Sequence, residues 1–136
     1  MASTANFAAT PRTSSAVLTA ANTDRTGATT TGMQDLFSPG ASGSRVDDIT
    51  IACTGNSTAN SIALFMSDTA GTTNRFMFEV LVPAITTSGT VSPFMTTLRD
   101  LGIMVPTGFK LRATSRVAAS GANDQYQLVV TKAGDF

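Results

Sequence analysis

The sequence predicts an all-β protein, and three observations support that prediction. Apolar and polar residues alternate over several short segments, as they do in half-buried strands. Clusters of Gly, Pro, Asn, Asp and Ser separate these segments every ten to fifteen residues or so, at about the spacing of a sandwich or barrel. Threonine, a strand-favouring residue, occurs 23 times in 136 residues. We therefore predict a single β-sandwich domain of the jelly-roll type over residues 14–136, preceded by an extended N-terminal arm over residues 1–13.

The first third of the chain differs in composition from the rest. Residues 1–43 are dominated by Ala, Ser, Thr, Asn and Gly, and their few apolar side chains are too dispersed to form a separate core. They predict an extended arm followed by two strands, around residues 14–20 and 31–37. The run SPGASGS at 38–44 contains Pro and Gly and predicts a loop.

The remaining sequence predicts further strands separated by turns. Residues 61–67 are apolar on both faces, which indicates a strand buried on both sides. Alternation in two other strands places Phe76, Phe78 and Phe109 on inward faces. The strands predicted after the loop are 45–53, 61–67, 75–82, 90–98, 109–116 and 125–132.

One segment allows a second interpretation. Phe94, Leu98 and Leu101 lie four and then three positions apart, which is the spacing of one face of a helix. Thr96 and Thr97 favour a strand instead, because β-branched side chains fit a pleated surface better. We expect an all-β domain with at most one or two helical turns in this segment.

The composition argues against enzymatic activity. Histidine is absent, which removes the most frequent general base and the usual catalytic triads. Cys53 is the only cysteine and occupies an apolar position of a predicted strand, where we expect a buried, unreactive thiol. A lone cysteine cannot form an internal disulfide. We predict neither catalysis nor a cofactor.

The carboxylates do not form a recognisable catalytic or metal motif. Asp47 and Asp48 are adjacent, so in a strand their side chains point to opposite faces and cannot act as a pair. A hard cation such as Ca²⁺ could use Asp68, Asp124 or Asp135 with backbone oxygens, but no loop of the DxDxDG type is present. We expect these residues to serve turns, and we predict no metal site.

The segment GSRVDDITIACTG at 43–55 brings together an arginine, two carboxylates and the cysteine. We interpret it as the passage from a loop into a strand. In that interpretation Arg45 and Asp47 are free to pair with another strand or subunit.

Charge is scarce along the whole chain. Charged residues make up 13% of the sequence and balance to a net charge of zero, against about 25% charged residues in ordinary domains. A neutral, hydroxyl-rich surface is desolvated at low cost, as the core of a protein interface requires. Zero net charge gives no attraction to nucleic acid or to an anionic membrane. With no apolar run of membrane-spanning length and no signal peptide, we expect a protein made and used without secretion.

Several motifs resemble those of small virion proteins of tailed bacteriophages. The resemblance runs from about residue 20 to the end and consists of turns and apolar positions rather than a catalytic signature. Its segments are NTDRTG (22–27), LFSPGASGSRVDDITIACTGNSTANSIALFMSD (36–68), EVLVPAITTSGTVSPF (79–94), VPTGFKLRATS (105–115) and GDF (134–136). The chain thus resembles jelly-roll head-decoration, or cement, proteins.

This resemblance implies a structural role on the virion. Such proteins bind the outside of the major capsid protein lattice as dimers or trimers and stabilise the head. We therefore expect synthesis in the host cytoplasm, a location on the capsid exterior and a homodimer in preference to a homotrimer. Phe7, with Val17 and Leu18 in the strand around 14–20, is expected to contact neighbouring subunits. The alternative is a β-sandwich binding module of the phage tail or tail fibre that recognises a receptor or carbohydrate.

Overall fold

The computed structural model describes residues 10–136 as two antiparallel β-sheets that pack against each other, without a helix in that range. The first sheet has the order β1-β9-β3-β6, with β7 also paired to β3, and the second has the order β2-β8-β4-β5. The all-β sandwich prediction is confirmed at this level. In chain order the strands are β1 (Thr10–Leu18), β2 (Gln34–Phe37), β3 (Ser44–Cys53), β4 (Asn60–Asp68), β5 (Asn74–Val82), β6 (Met95–Leu98), β7 (Ile103–Val105), β8 (Phe109–Ser115) and β9 (Tyr126–Asp135).

The N-terminal boundary differs from the prediction. Strand β1 begins at Thr10, which pairs with Asp135 of β9, so residues 10–13 belong to the first sheet rather than to an arm. Arg12 Nη1 donates to Asp135 Oδ2 at 2.7 Å and its guanidinium lies over the Phe37 ring. These contacts hold the start of β1 on the sandwich. Residues 1–9, with Phe7, lie outside the described residues.

The main core lies between the two sheets. Alternate residues of each strand point inward, so that Ile49 and Ile51 of β3 meet Leu64 and Ile62 of β4 in one apolar cluster. Strand β4 is buried on both faces from Ser61 to Phe65, as its continuous apolar sequence predicts. The fully buried large side chains are Tyr126, Phe37, Phe65, Leu18, Leu36, Ile49, Ile51, Ile62, Leu64, Leu111, Leu128 and Val46.

A β-bulge in β5 corrects the prediction for Phe76. Leu64 pairs with Phe78 and the next residue, Phe65, pairs with Phe76, which leaves Met77 as the extra residue. One extra residue reverses the side-chain alternation. Phe78 and Met77 therefore pack against the main core, whereas Phe76 lies on the outer face in an edge-on contact with Phe65.

Phe109 also differs from its predicted inward position. It is the first residue of β8 and pairs with Asp68, the last residue of β4, so it lies at the end of the sandwich. Its side chain is 42% exposed there, whereas Leu111, two residues further along the strand, is fully buried.

The ambiguous segment forms a strand rather than helical turns. Residues 95–98 pair with β3, with Leu98 opposite Ile49 and Thr97 opposite Thr50. Asp100 then adopts a positive φ of 55°, which breaks the extended conformation before β7. The short strand β7 was not predicted from the sequence.

Candidate docking surfaces

The outer face of the β2-β8-β4-β5 sheet is covered by residues 19–33, which we call the strap. The Asn22 N–H donates to Ser115 O at 2.7 Å, and Asn74 Nδ2 donates to Gly27 O at 2.9 Å. Met33 packs with Ala63 and Phe65 in a small second apolar cluster. The strap therefore explains why β4 is buried on its outer side as well as its inner side.

An ion-pair cluster joins the strap to this covered face. Arg25 Nε, from the strap, donates to Glu79 Oε1 at 2.8 Å, and Arg116 Nε donates to the same oxygen at 2.9 Å. The hydrogen bond from Arg25, followed by that from Arg116, holds the pKa of Glu79 below its usual range against the opposing effect of burial. The covered face is thus occupied by the chain itself.

Asp24, Asp68 and Asp124 act within turns, as the sequence predicts for Asp68 and Asp124. Asp135 differs from its prediction, because it is the last residue of β9 and its carboxylate bonds to Ser44 of β3 and Arg12 of β1. Hydrogen bonds from Thr26 and Thr29 lower the pKa of Asp24 to about 2, and the Thr72 hydroxyl does most to lower the pKa of Asp68 to about 2. The three candidates for a cation site are each engaged by donors of the chain. Asp68 accepts from Thr72 and Thr73, Asp124 from Asn56 and Ser120, and Asp135 from Ser44 and Arg12.

The outer face of the β1-β9-β3-β6 sheet is exposed, and we call it the open face. Val17 is 41% exposed, Val129 37% and Met95 71%. Strand register fixes two adjacent rows of side chains across all four strands. One row is Val17, Gln127, Ala52 and Met95; the other is Ser15, Val129, Thr50 and Thr97.

Neither row of the open face contains a charged residue. Thr50 and Thr97 share a hydroxyl–hydroxyl hydrogen bond of 2.9 Å, which provides one of the two hydroxyl donors with an acceptor. Small aliphatic and hydroxyl side chains of this kind can be buried against another protein without leaving an ion unpaired. The open face has the composition of an interface core.

Charge is confined to one end of the open face. Asp48 of β3 lies opposite Lys132 of β9 at an irregular part of the ladder, where Asp47 and Thr131 are extra residues on either strand. Arg99 Nη1 lies 3.7 Å from Asp48, and the Asp100 N–H donates to the same carboxylate at 3.0 Å. The open face therefore combines an uncharged centre with a charged margin.

A second uncharged surface is formed by residues 83–94, which connect the two sheets and which we call the crossing segment. No charged residue occurs between Glu79 and Arg99. Ile85 exchanges two backbone hydrogen bonds of 2.9 Å with Ser57, and Asn56 Oδ1 accepts from the Thr87 N–H at 2.8 Å. The segment is held in shape while it exposes Val91, and Leu81 just before it is 79% exposed.

The predicted interface residues have different positions in the fold. Val17 lies in the first row of the open face. Leu18 is fully buried in the core, so its side chain is not available to a partner while the sandwich is folded. Arg45 Nε donates to Asp47 Oδ1 at 2.7 Å, so these two residues pair with each other within one strand. Phe7 is among the residues that the structure does not describe.

Sequence reasoning missed Met95, Val129 and the crossing segment. The charge-free stretch between Glu79 and Arg99 was the available signal, because exposed loops normally carry charge. Alternation places Val129 on the face of Gln127, opposite Tyr126, Leu128 and Val130, but its neighbours on that face cannot be identified until the strand register is known.

The cysteine and the acidic side chains of the described residues are placed as follows. Cys53 is buried, and its thiol donates to Asn56 O at 3.2 Å. Within residues 10–136 no group of three or more His, Cys, Asp or Glu side chains is placed to hold a metal ion. No helix long and apolar enough to cross a membrane occurs in the same range.

Comparison with known proteins gives no relative. No family model, curated protein or solved structure matches the chain. The open face and the crossing segment are therefore the features from which a function has to be argued.

Proposed function

We propose that this chain is a structural virion protein, a capsid decoration or cement protein that binds the outer surface of a major capsid protein lattice and stabilises the head. One observation carries the proposal: a β-sandwich presents two separate, exposed and uncharged surfaces, the open face and the crossing segment. A protein that reinforces a shell must contact at least two neighbouring bodies. Two uncharged surfaces on one rigid domain meet that requirement.

The strand order supports a jelly roll as the form of the sandwich. Leaving out β7, consecutive strands mostly alternate between sheets, in the orders β1-β9-β3-β6 and β2-β8-β4-β5. Eight strands in two four-stranded sheets are the pattern of jelly rolls, a fold used by many viral capsid proteins. Fold alone does not determine function, so the surfaces remain the main argument.

We assign the capsid contact to the crossing segment together with Leu81. Its backbone is already held by Ser57 and Asn56, so little conformational entropy is lost when a partner binds. Exposed Val91 and Leu81 supply apolar area, and the segment brings no charge that would have to be desolvated. An oligomer carrying several such segments gains further from avidity, because each later contact forms at high effective concentration.

Sedimentation with purified heads that lack the protein tests this assignment. The wild-type chain should co-sediment in a saturable ratio to the major capsid protein, and Val91→Asp should weaken binding at least about tenfold by placing a charge in the contact. Thr107→Asp, in a turn away from the crossing segment, serves as the control and should bind like wild type. Wild-type binding by Val91→Asp would reject the crossing segment as the contact. No binding by the wild type would reject the decoration role, and binding to tails would support the alternative.

A further inference from the structure

We propose that the open face binds the open face of a second copy of this chain, about a two-fold axis that runs parallel to the strands between β9 and β3. The inference concerns self-association and does not require that the chain binds a capsid. It rests on the register of the first sheet, on the charges at the margin of the open face, and on its area.

The two-fold operation determines which strands meet. An axis parallel to the strands keeps each row at its own height and reverses the order of the strands. Strand β9 then lies over β3 of the partner, and β1 lies over β6. Two sheets in such contact pack about 10 Å apart, with their strands rotated by roughly 30°.

The side chains brought together in the uncharged rows complement each other. Val17 lies over the partner's Met95, so two exposed apolar side chains meet. In the same row Gln127 lies over the partner's Ala52, a long side chain over a short one. In the next row Val129 lies over the partner's Thr50, whose hydroxyl is already bonded to Thr97 and leaves its methyl group for packing.

The charged margin is complementary under the same operation. Lys132 and Asp48 are opposite each other across β9 and β3, on either side of the proposed axis. The axis places Lys132 over the partner's Asp48, and the contact occurs twice in the dimer. Lys132 forms no ion pair with another residue in the 10–136 range, whereas Asp48 is held in place by Arg99 and the Asp100 N–H. The pairing therefore supplies Lys132 with a partner.

The area of the open face suits a modest but specific dimer. Strands β1, β9 and β3 have nine or ten residues, whereas β6 and β7, which both flank β3, have four and three. At about 4.8 Å between strands and ~3.3 Å per residue, these strands give a face of roughly 570 Å². Two such faces bury about 1,100 Å², slightly below the roughly 1,200 Å² typical of stable interfaces and above the ~1,000 Å² expected of a biological one. The outer face of the other sheet offers less area, since the strap covers β4 and leaves only side chains of β5 such as Phe76 and Leu81 exposed.

The first test is the mass of the purified chain in solution, measured by light scattering and sedimentation equilibrium without capsids. The wild type should be a dimer. Val129→Asp should raise the dimer dissociation constant about a hundredfold or more, because it would bury an unpaired charge near the axis. Val117→Asp, the same substitution in the loop after β8 at a valine that is also 37% exposed, should remain a dimer. Circular dichroism and thermal unfolding should show that both variants are folded.

The second test exploits the paired charges. Lys132→Glu alone and Asp48→Lys alone should each weaken self-association, because like charges would then meet twice. An equimolar mixture of the two variants should form a heterodimer, since both contacts become opposite-charge pairs. The mixture separates a specific interface from general loss of fold, because two misfolded chains would not rescue each other.

Three outcomes would overturn the proposal: a wild-type chain that is monomeric at tens of micromolar, a dimer that survives Val129→Asp, or two charge variants that fail to combine although each is folded. A monomeric wild type whose capsid binding is abolished by Val129→Asp would instead make the capsid the occupant of the open face. The mass measurement and the capsid assay use different samples, so failure of this inference is distinguishable from failure of the decoration role.

Discussion

At the scale of single residues, Glu79 is the charge on which the covered face depends most. Its carboxylate accepts hydrogen bonds from Arg25 of the strap and from Arg116 of the adjoining chain after β8. The Glu79 side chain is 18% exposed and that of Arg116 9%, so the pair is shielded from water more than ordinary surface ion pairs are. Losing the carboxylate would leave a largely buried guanidinium without its partner.

We expect Glu79→Gln to lower the free energy of unfolding by about 2 kcal/mol at pH 7, the size typical of hydrogen bonds to a charged group. The folded-state pKa of Glu79 is below the ordinary value of 4.5, so the stabilisation is present above pH 4.5 and is lost as the pH falls through the folded-state pKa. The difference between wild type and variant should therefore shrink on acidification. Urea denaturation at a series of pH values measures it.

Asp47→Asn is the matched control for this prediction. Asp47 is about as exposed as Glu79, 17% against 18%, but its partner Arg45 is 51% exposed, so its removal leaves no buried guanidinium and should cost no more than about 1 kcal/mol. The role given to Glu79 would be contradicted if both variants lost the same free energy of unfolding. It would also be contradicted if the difference in unfolding free energy between the wild type and Glu79→Gln grew as the pH fell.

At the scale of elements, the bulge in β5 decides which side chains reach the core. Deleting Met77 would restore a regular ladder with β4, leaving Phe78 inward and Phe76 outward. We expect the deletion to cost about 1–3 kcal/mol, the packing of one partly buried methionine, with the fold retained. Thermal unfolding and near-ultraviolet circular dichroism test this.

Deleting Val80 is the contrasting variant. The strand would have to slip by one residue, which would turn Glu79 toward the core and break its bonds to the strap. We expect little or no folded protein. Similar losses of stability in the two deletion variants would show that the bulge does not set the register between β4 and β5.

The same elements show how far the sequence alone leads. The apolar run at 61–67 predicts a strand buried on both faces, and β4 is one. What covers it could not be predicted, because the strap is held by backbone carbonyls and turn hydrogen bonds with no periodic signature. Alternation continued through Met77 predicts Phe76 inward, and a bulge leaves no mark in the pattern of apolar residues.

At the scale of the whole molecule, the two sheets have different tasks. One is covered by its own chain and pinned by ion pairs, whereas the other presents an uncharged face bordered by Lys132 and Asp48. The crossing segment adds a third, separately placed surface. Under the two proposals such a division would let the domain hold a partner copy and a shell at the same time, and we expect occupancy of the shell to depend on both contacts through avidity.

We therefore expect Val129→Asp to weaken capsid binding as well as self-association, although Val129 is distant in sequence from the crossing segment. The decrease in the amount of bound protein should be smaller when heads are titrated to saturation, because avidity affects the affinity for the head rather than the number of binding sites. Quantitative sedimentation of heads with the wild type, Val129→Asp and Val91→Asp measures the effect. A variant that is monomeric yet binds heads as tightly as the wild type would show that capsid binding does not depend on self-association.

The most direct test of the central claim is the ratio of this protein to the major capsid protein on heads isolated before tails are attached. The account predicts a constant ratio, the same on tailless heads as on complete particles, with labelling distributed over the shell exterior. Absence from tailless heads, or labelling restricted to the tail of complete particles, would contradict it.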